Sequence, residues 1–136
     1  MTELEALQAA LAGEHAALYG VGVAGGKLSG AKFNAASDAF DRHRDNRDKL
    51  SALITAANET PVAAEPAYDL PQPVTNAASA AALIVGIERR LAAVYGDLIE
   101  AAEQPAVRQL GIDQLLATAS AQVVWGGAPV ALPGAV

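Results

Sequence analysis

Leu4, Leu7, Leu11, Leu18, Val21, Gly25 and Leu28 step along the first stretch of the chain by threes and fours, the spacing of one apolar face of an α-helix. One position in that series carries an acid instead, Glu14. A carboxylate therefore stands on the core seam of an otherwise apolar helix. Thr2, with Glu5 three residues later, reads as an N-cap and capping box. The helix runs to about Ala24, where Gly20, Gly22, Gly25 and Gly26 weaken it and Ser29-Gly30 makes a turn. These glycines follow no strand and lack fingerprint spacing, which argues against a phosphate-binding loop. A second helix is expected from about Ala31 to Asn58, with the seam Phe33, Ala36, Phe40, His43, Arg47, Leu50, Ile54 and Ala57. Its middle is again polar. Its outer faces mix Asp38, Asp41, Asp45 and Asp48 with Arg42, Arg44 and Lys49, as in a solvated face of pairs three and four apart.

A third helix is expected from an N-cap at Asn76 to about Ala102, with Ala77, Ala80, Ile84, Ile87, Leu91, Val94 and Leu98 as its seam. A fourth starts after Gln104, with Pro105 in its first turn, and continues to about Trp125. Gly126-Gly127 closes it, and residues 127–136 form a tail that is either packed on the bundle or loose. Ala16-Ala17-Leu18-Tyr19-Gly20 is echoed by Ala92-Ala93-Val94-Tyr95-Gly96, a match that an alanine-rich chain also produces by chance.

Between the second and third helices, Thr60 to Thr75 holds Pro61, Pro66, Pro71 and Pro73. Extended at ~3.1 Å per residue, such a segment reaches about 50 Å. A helix of about 22 residues is only about 33 Å long. The linker can therefore cross the bundle end to end, where a hairpin needs only a few residues. One long crossover of this kind makes the second and third helices parallel, the ferritin-like arrangement of an all-α four-helix bundle.

Composition narrows the reading. At 136 residues one domain, residues 1–136, is expected. The chain is 52% hydrophobic but only 4% aromatic; alanine, leucine and valine supply the core, which favours helices over sheet. A net charge of −6 argues against nucleic acid and anionic membrane surfaces as partners. There is no cysteine, so thiol and zinc-thiolate chemistry is excluded. The acidic start Met1-Thr2-Glu3 is unlike a secretory leader, no window is apolar enough to span a bilayer, and a cytoplasmic setting is expected. An apolar chain of this size is expected to pair as a homodimer through a helix face.

Glu14-His15-Ala16-Ala17-Leu18-Tyr19-Gly20, Asp41-Arg42-His43-Arg44-Asp45-Asn46-Arg47-Asp48-Lys49-Leu50, and Ala67-Tyr68-Asp69-Leu70-Pro71 with Val74 together resemble an actinobacterial ferritin-like domain family of unknown function, its alanine-rich mycobacterial members above all. The resemblance covers nearly the whole chain. It implies a four-helix ferritin-like bundle and no known reaction.

Di-iron ferritin-like proteins take a glutamate from each of two helices and a Glu-x-x-His pair from each of the other two. Glu14 and Glu88 stand on the first and third helices, but the second has His43 without Glu-x-x-His, and the fourth offers only Asp113 and Gln114. At least half of the ligand set is missing, so no metal or cofactor is expected. Folding the first hairpin back near residue 29 puts His15 and His43 at one level, with Glu14 facing His43 and Arg47 and with Tyr19 a turn away. A buried carboxylate needs a partner, and the forked guanidinium of Arg47 is the expected one. Three readings stay open: a structural ion pair fixing helix register, a small-molecule or single-metal site on Glu14, His15, His43 and Tyr19, or residues that face solvent. Tyr19, Tyr95 and Trp125 are expected to pack rather than to bind a cofactor. The function expected is that of a non-catalytic structural or interaction protein; the alternative is a degenerate ferritin-like binding protein or enzyme using the Glu14 cluster.

Overall fold

The computed structural model describes residues 1–135 and has four helices: α1 (Glu3–Gly25), α2 (Gly30–Ala56), α3 (Ala77–Ala101) and α4 (Pro105–Val124). No strand occurs among the described residues. Local chemistry sets the ends. Thr2 and Glu5 form the expected capping box, with Thr2 N–H donating to Glu5 Oε2 at 2.7 Å and Glu5 N–H to Thr2 Oγ1 at 3.1 Å. Asn76 caps α3 by accepting from Ser79 N–H at 2.8 Å. Pro105 opens α4, where its missing N–H is one that a first turn leaves unpaired anyway. Asn58, at φ 61°, follows the last turn of α2 in the left-handed region where short polar side chains are tolerated.

Three contacts fix the helix directions. Gln8, early in α1, exchanges hydrogen bonds with Thr60 and Val62 just past the end of α2, so α1 and α2 are antiparallel. Glu3, at the start of α1, accepts from the backbone of Glu103 and Gln104 just past the end of α3, so α1 and α3 are antiparallel as well. It follows that α2 and α3 run parallel, as expected of a long crossover. Gly111 of α4 lies on Ile99, and Gly127 just past α4 lies on Val85, so α4 runs antiparallel to α3. The broad contacts are α1–α2, α1–α3 and α3–α4.

The crossover is pinned to α1 by a stripe of Gln8, His15 and Tyr19. His15 Nε2–H donates to the Val62 carbonyl at 3.0 Å. The Tyr19 and Tyr68 rings meet at 5.8 Å between centroids. Farther on, Pro71 and Gln72 lie by Ser79, Ala82 and Leu83 of α3, while Leu70 and Val74 pack on the core. The tail folds back over Arg89, Ala92, Ala93 and Gln122. Val136 lies outside the described residues.

The core is built on close approach. A Cβ at Gly111 would stand 2.7 Å from Ile99 Cγ1 and 3.4 Å from the Ile99 backbone nitrogen, so a hydrogen there lets α4 lie directly on α3. Around Leu11, Leu50, Ile54, Ile84, Leu91 and Leu98, all fully buried or nearly so, the interior is aliphatic. Its middle layer is not.

Candidate functional site

The middle layer draws on all four helices. Glu14 of α1, His43 and Asn46 of α2, and Glu88 and Tyr95 of α3 are buried, and Gln114 of α4 is partly so. His43 stands between two carboxylates: its Nδ1 lies 2.6 Å from Glu14 Oε2 and its Nε2 2.9 Å from Glu88 Oε1. A carboxylate only accepts when ionised, so each ring nitrogen must donate and His43 is an imidazolium. Burial pulls its pKa down, but the hydrogen bonds and charges of Glu14 and Glu88 outweigh burial and raise it to about 9.

Each carboxylate has further donors. The Tyr95 hydroxyl donates to Glu14 Oε1 at 2.5 Å, and Asn46 Nδ2 donates to the same oxygen at 3.0 Å. Asn46 Nδ2 also donates to Gln114 Oε1 at 2.8 Å, tying α4 into the layer. Burial, with the charge of Glu14 beside it, pushes the Tyr95 phenol well above its ordinary range, so it stays a donor. Arg42 Nη2 donates to Glu88 Oε1 at 2.5 Å, with about a quarter of the Arg42 side chain still exposed. Two acids thus face two cations, and the layer is neutral in sum. Two buried atoms of it lack a hydrogen-bond partner among the described residues, Arg42 Nη1 and Glu88 Oε2.

This corrects the expected partner of Glu14. Arg47 does not reach it; its Nε donates to the neighbouring Asp48 at 2.9 Å, with about a third of the Arg47 side chain and two thirds of that of Asp48 exposed. The seam of α2 is Ala36, Ala39, His43, Asn46, Leu50 and Ile54. From His43 to Leu50 a helix can step by four and then three, through Arg47, or by three and then four, through Asn46. The fold takes the second path, which also leaves Phe33 48% exposed. His15 and Tyr19 lie outside the layer too: they hold the crossover. Of the expected cluster, the structure brings together Glu14 and His43 only.

Arg42, Asn46, Glu88, Tyr95 and Gln114 complete the layer. Glu88 and Tyr95 carried a signal. Ile84, Glu88, Leu91, Tyr95 and Leu98 step by fours and threes, so an acid interrupts the α3 seam as Glu14 interrupts that of α1. Trp125 is partly buried at the far end of α4.

The layer is a poor metal site as it stands. His43 lies between the two acids rather than beside them, and among the described residues no group of three or more His, Cys, Asp or Glu is placed to hold an ion. The following surface clefts are lined by residues outside it. A cleft of about 340 Å³ is lined by Ala31, Ala35, Ala81, Val124 and Trp125 among others, and another of about 240 Å³ by Val21, Gly22, Phe33 and Phe40 among others. No helix of the described residues is long and apolar enough to cross a membrane.

The search of curated proteins finds no match. Among solved structures, the chain is similar to the crystal structure of a conserved hypothetical protein, rv2844, from Mycobacterium tuberculosis, at 32% identity and a TM-score of 0.88, over 90% of this chain and 93% of that one. A family model described as a domain of unknown function, DUF4439, matches residues 6–136, and the chain belongs to that family.

Proposed function

We propose that this chain is a cytoplasmic, non-catalytic structural or interaction bundle, ferritin-like in its connectivity, in which the Glu14–His43–Glu88 layer locks the four helices in register. The observation that carries this reading is the closure of the layer. His43 fills the space between the two acids with both ring nitrogens engaged, and Arg42 covers the side toward solvent. Three of the four carboxylate oxygens, Glu14 Oε1, Glu14 Oε2 and Glu88 Oε1, already accept from donors, which leaves a reacting group or metal ion only Glu88 Oε2. The wider ferritin-like fold places its metal ligands at this depth of the bundle; here an imidazolium and a guanidinium neutralise the acids in place of metal ions.

A second reading draws support from Arg42 Nη1 and Glu88 Oε2, which are buried and unpartnered. A small polar ligand or an ion entering along the Arg42 side chain would engage them. Metal analysis of the purified protein, followed by titration with Fe(II), Mn(II) and Zn(II) under calorimetric and thermal-melt readout, separates the two. The structural reading expects no stoichiometric metal and no shift in melting temperature. Uptake of an ion that disappears in Glu88→Gln would overturn it in favour of a binding site.

A further inference from the structure

After Asp113 the sequence carries no Asp, Glu, Lys, Arg or His through residue 136. Nine basic and fifteen acidic residues, and the net charge of −6 they leave, all belong to what precedes. Much of this uncharged segment, as far as residue 135, is exposed. Along α4 the residues that face the core are Val107, Gly111, Thr118 and Gln122. On the opposite side lie Ile112, 38% exposed, Leu116, 63% exposed, and Val123, 49% exposed, with Ala119 partly exposed between them. Val124, Val130 and Leu132 are exposed nearby.

The spacing of Ile112, Leu116, Ala119 and Val123 is four, three, four. That is the step of a helix–helix seam, and it reads the same in both directions. A two-fold interface must map one surface patch onto itself. Reversing α4 against a second α4 so that Ile112 meets Val123 brings Leu116 onto Ala119 and maps the set onto itself, with a large residue against a smaller one at each step. Two charges flank this seam near its start and none follows them along it: Arg108, one turn before Ile112, whose Nη2 donates to the Ala102 carbonyl at 2.5 Å, and Asp113, which accepts from Gln109 within its own helix at 2.8 Å. Two chains of net charge −6 repel over most of their surfaces, and here they can meet with the least repulsion.

We propose that α4 pairs antiparallel with α4 of a second copy of this chain, through Ile112, Leu116, Ala119 and Val123. This deepens the reading of the chain as an interaction protein and is independent of the middle layer. The seam is about 17 Å long, short for a stable interface, so the pairing belongs with smaller, weaker interfaces.

Sedimentation equilibrium of the full chain up to high micromolar concentration tests it. The parent should show a monomer–dimer equilibrium. Leu116→Glu should weaken association at least tenfold while melting like the parent, since Leu116 makes little of the core. Phe33→Glu, which changes an exposed apolar residue on α2, should leave association unchanged. The chain has no cysteine, so disulfide trapping is clean: Leu116→Cys mixed with Ala119→Cys should cross-link faster than either alone. A parent that stays monomeric, a dimer indifferent to Leu116→Glu, or equal cross-linking in single and mixed samples overturns the pairing. So does a monomer that co-sediments with neutral phosphatidylcholine vesicles through Leu116, which would assign the face to lipid. A monomer with a metal-free middle layer overturns this inference alone, whereas metal uptake by a dimer overturns the structural reading of the layer alone.

Discussion

Glu14, His43 and Glu88 are fully buried, while Leu116 is 63% exposed and Val124 72% exposed. Both regions place side chains against their solvation preference, but at very different cost. At the centre, ions have left water, and each removal is compensated by a specific partner at hydrogen-bond distance. On the outer face of α4, apolar groups sit in water for no more than the ordinary loss of burial, roughly 25 cal/mol per Å². The middle layer is therefore brittle and specific. The α4 face is tolerant, and a change there should leave folding intact.

Breaking the layer should give the largest effect. Glu14→Leu removes the acceptor of His43, Tyr95 and Asn46 at once. A buried pair that loses one member costs about 3–5 kcal/mol, against a typical domain stability of ~5–15 kcal/mol. Denaturant melts should show a loss in that range, and a loss below about 1 kcal/mol would place the layer in contact with water.

The next effect needs no mutation. The pKa of His43 rises from 6.5 to about 9 on folding, a stabilisation of order 3 kcal/mol. Because the folded value is the higher one, this contribution is complete below about pH 6.5. It declines as pH rises from there toward 9 and is gone above. Urea melts between pH 6 and pH 10 should show that decline in the parent and not in His43→Gln. An equal slope in both would mean that His43 is neutral in the folded protein.

A contact at the helix interface ranks third. The Cβ of Gly111→Ala would meet both the Ile99 side chain and its backbone. Overpacking of this kind costs about 1–3 kcal/mol, and the melting temperature should fall accordingly. A neutral result would show that α4 can lift from α3 freely.

The fold was more legible than the site because helix ends and helix periodicity are local properties. Thr2, Asn76 and Pro105 announce their helices through their own side chains, and the length of the Thr60–Thr75 segment allows α2 and α3 to run parallel. Glu14 and His43 were legible too, as polar residues on apolar seams. What periodicity does not specify is which way a seam turns between two common points. Arg47 and Asn46 are both compatible with a path from His43 to Leu50, and the choice is made by Glu14 and Gln114 on other helices. His15 and Tyr19 face a crossover without periodicity, so nothing in their own helix reports their partners.

That ambiguity supplies the smallest effect and the sharpest control. A solvent-accessible arginine paired only with its sequence neighbour contributes little, so Arg47→Met should change stability by no more than about 0.5 kcal/mol. Arg47 shares no partner with Glu14, and effects at sites without shared partners add. Glu14→Leu with Arg47→Met should therefore be as unstable as Glu14→Leu alone, within a few tenths of a kcal/mol. If α2 were turned by one step in solution, Arg47 would be the buried counter-ion, and the second substitution would recover most of the loss. The four melts of that double-mutant cycle read the rotation of α2 about its own axis, since the coupling energy is near zero for one seam and several kcal/mol for the other.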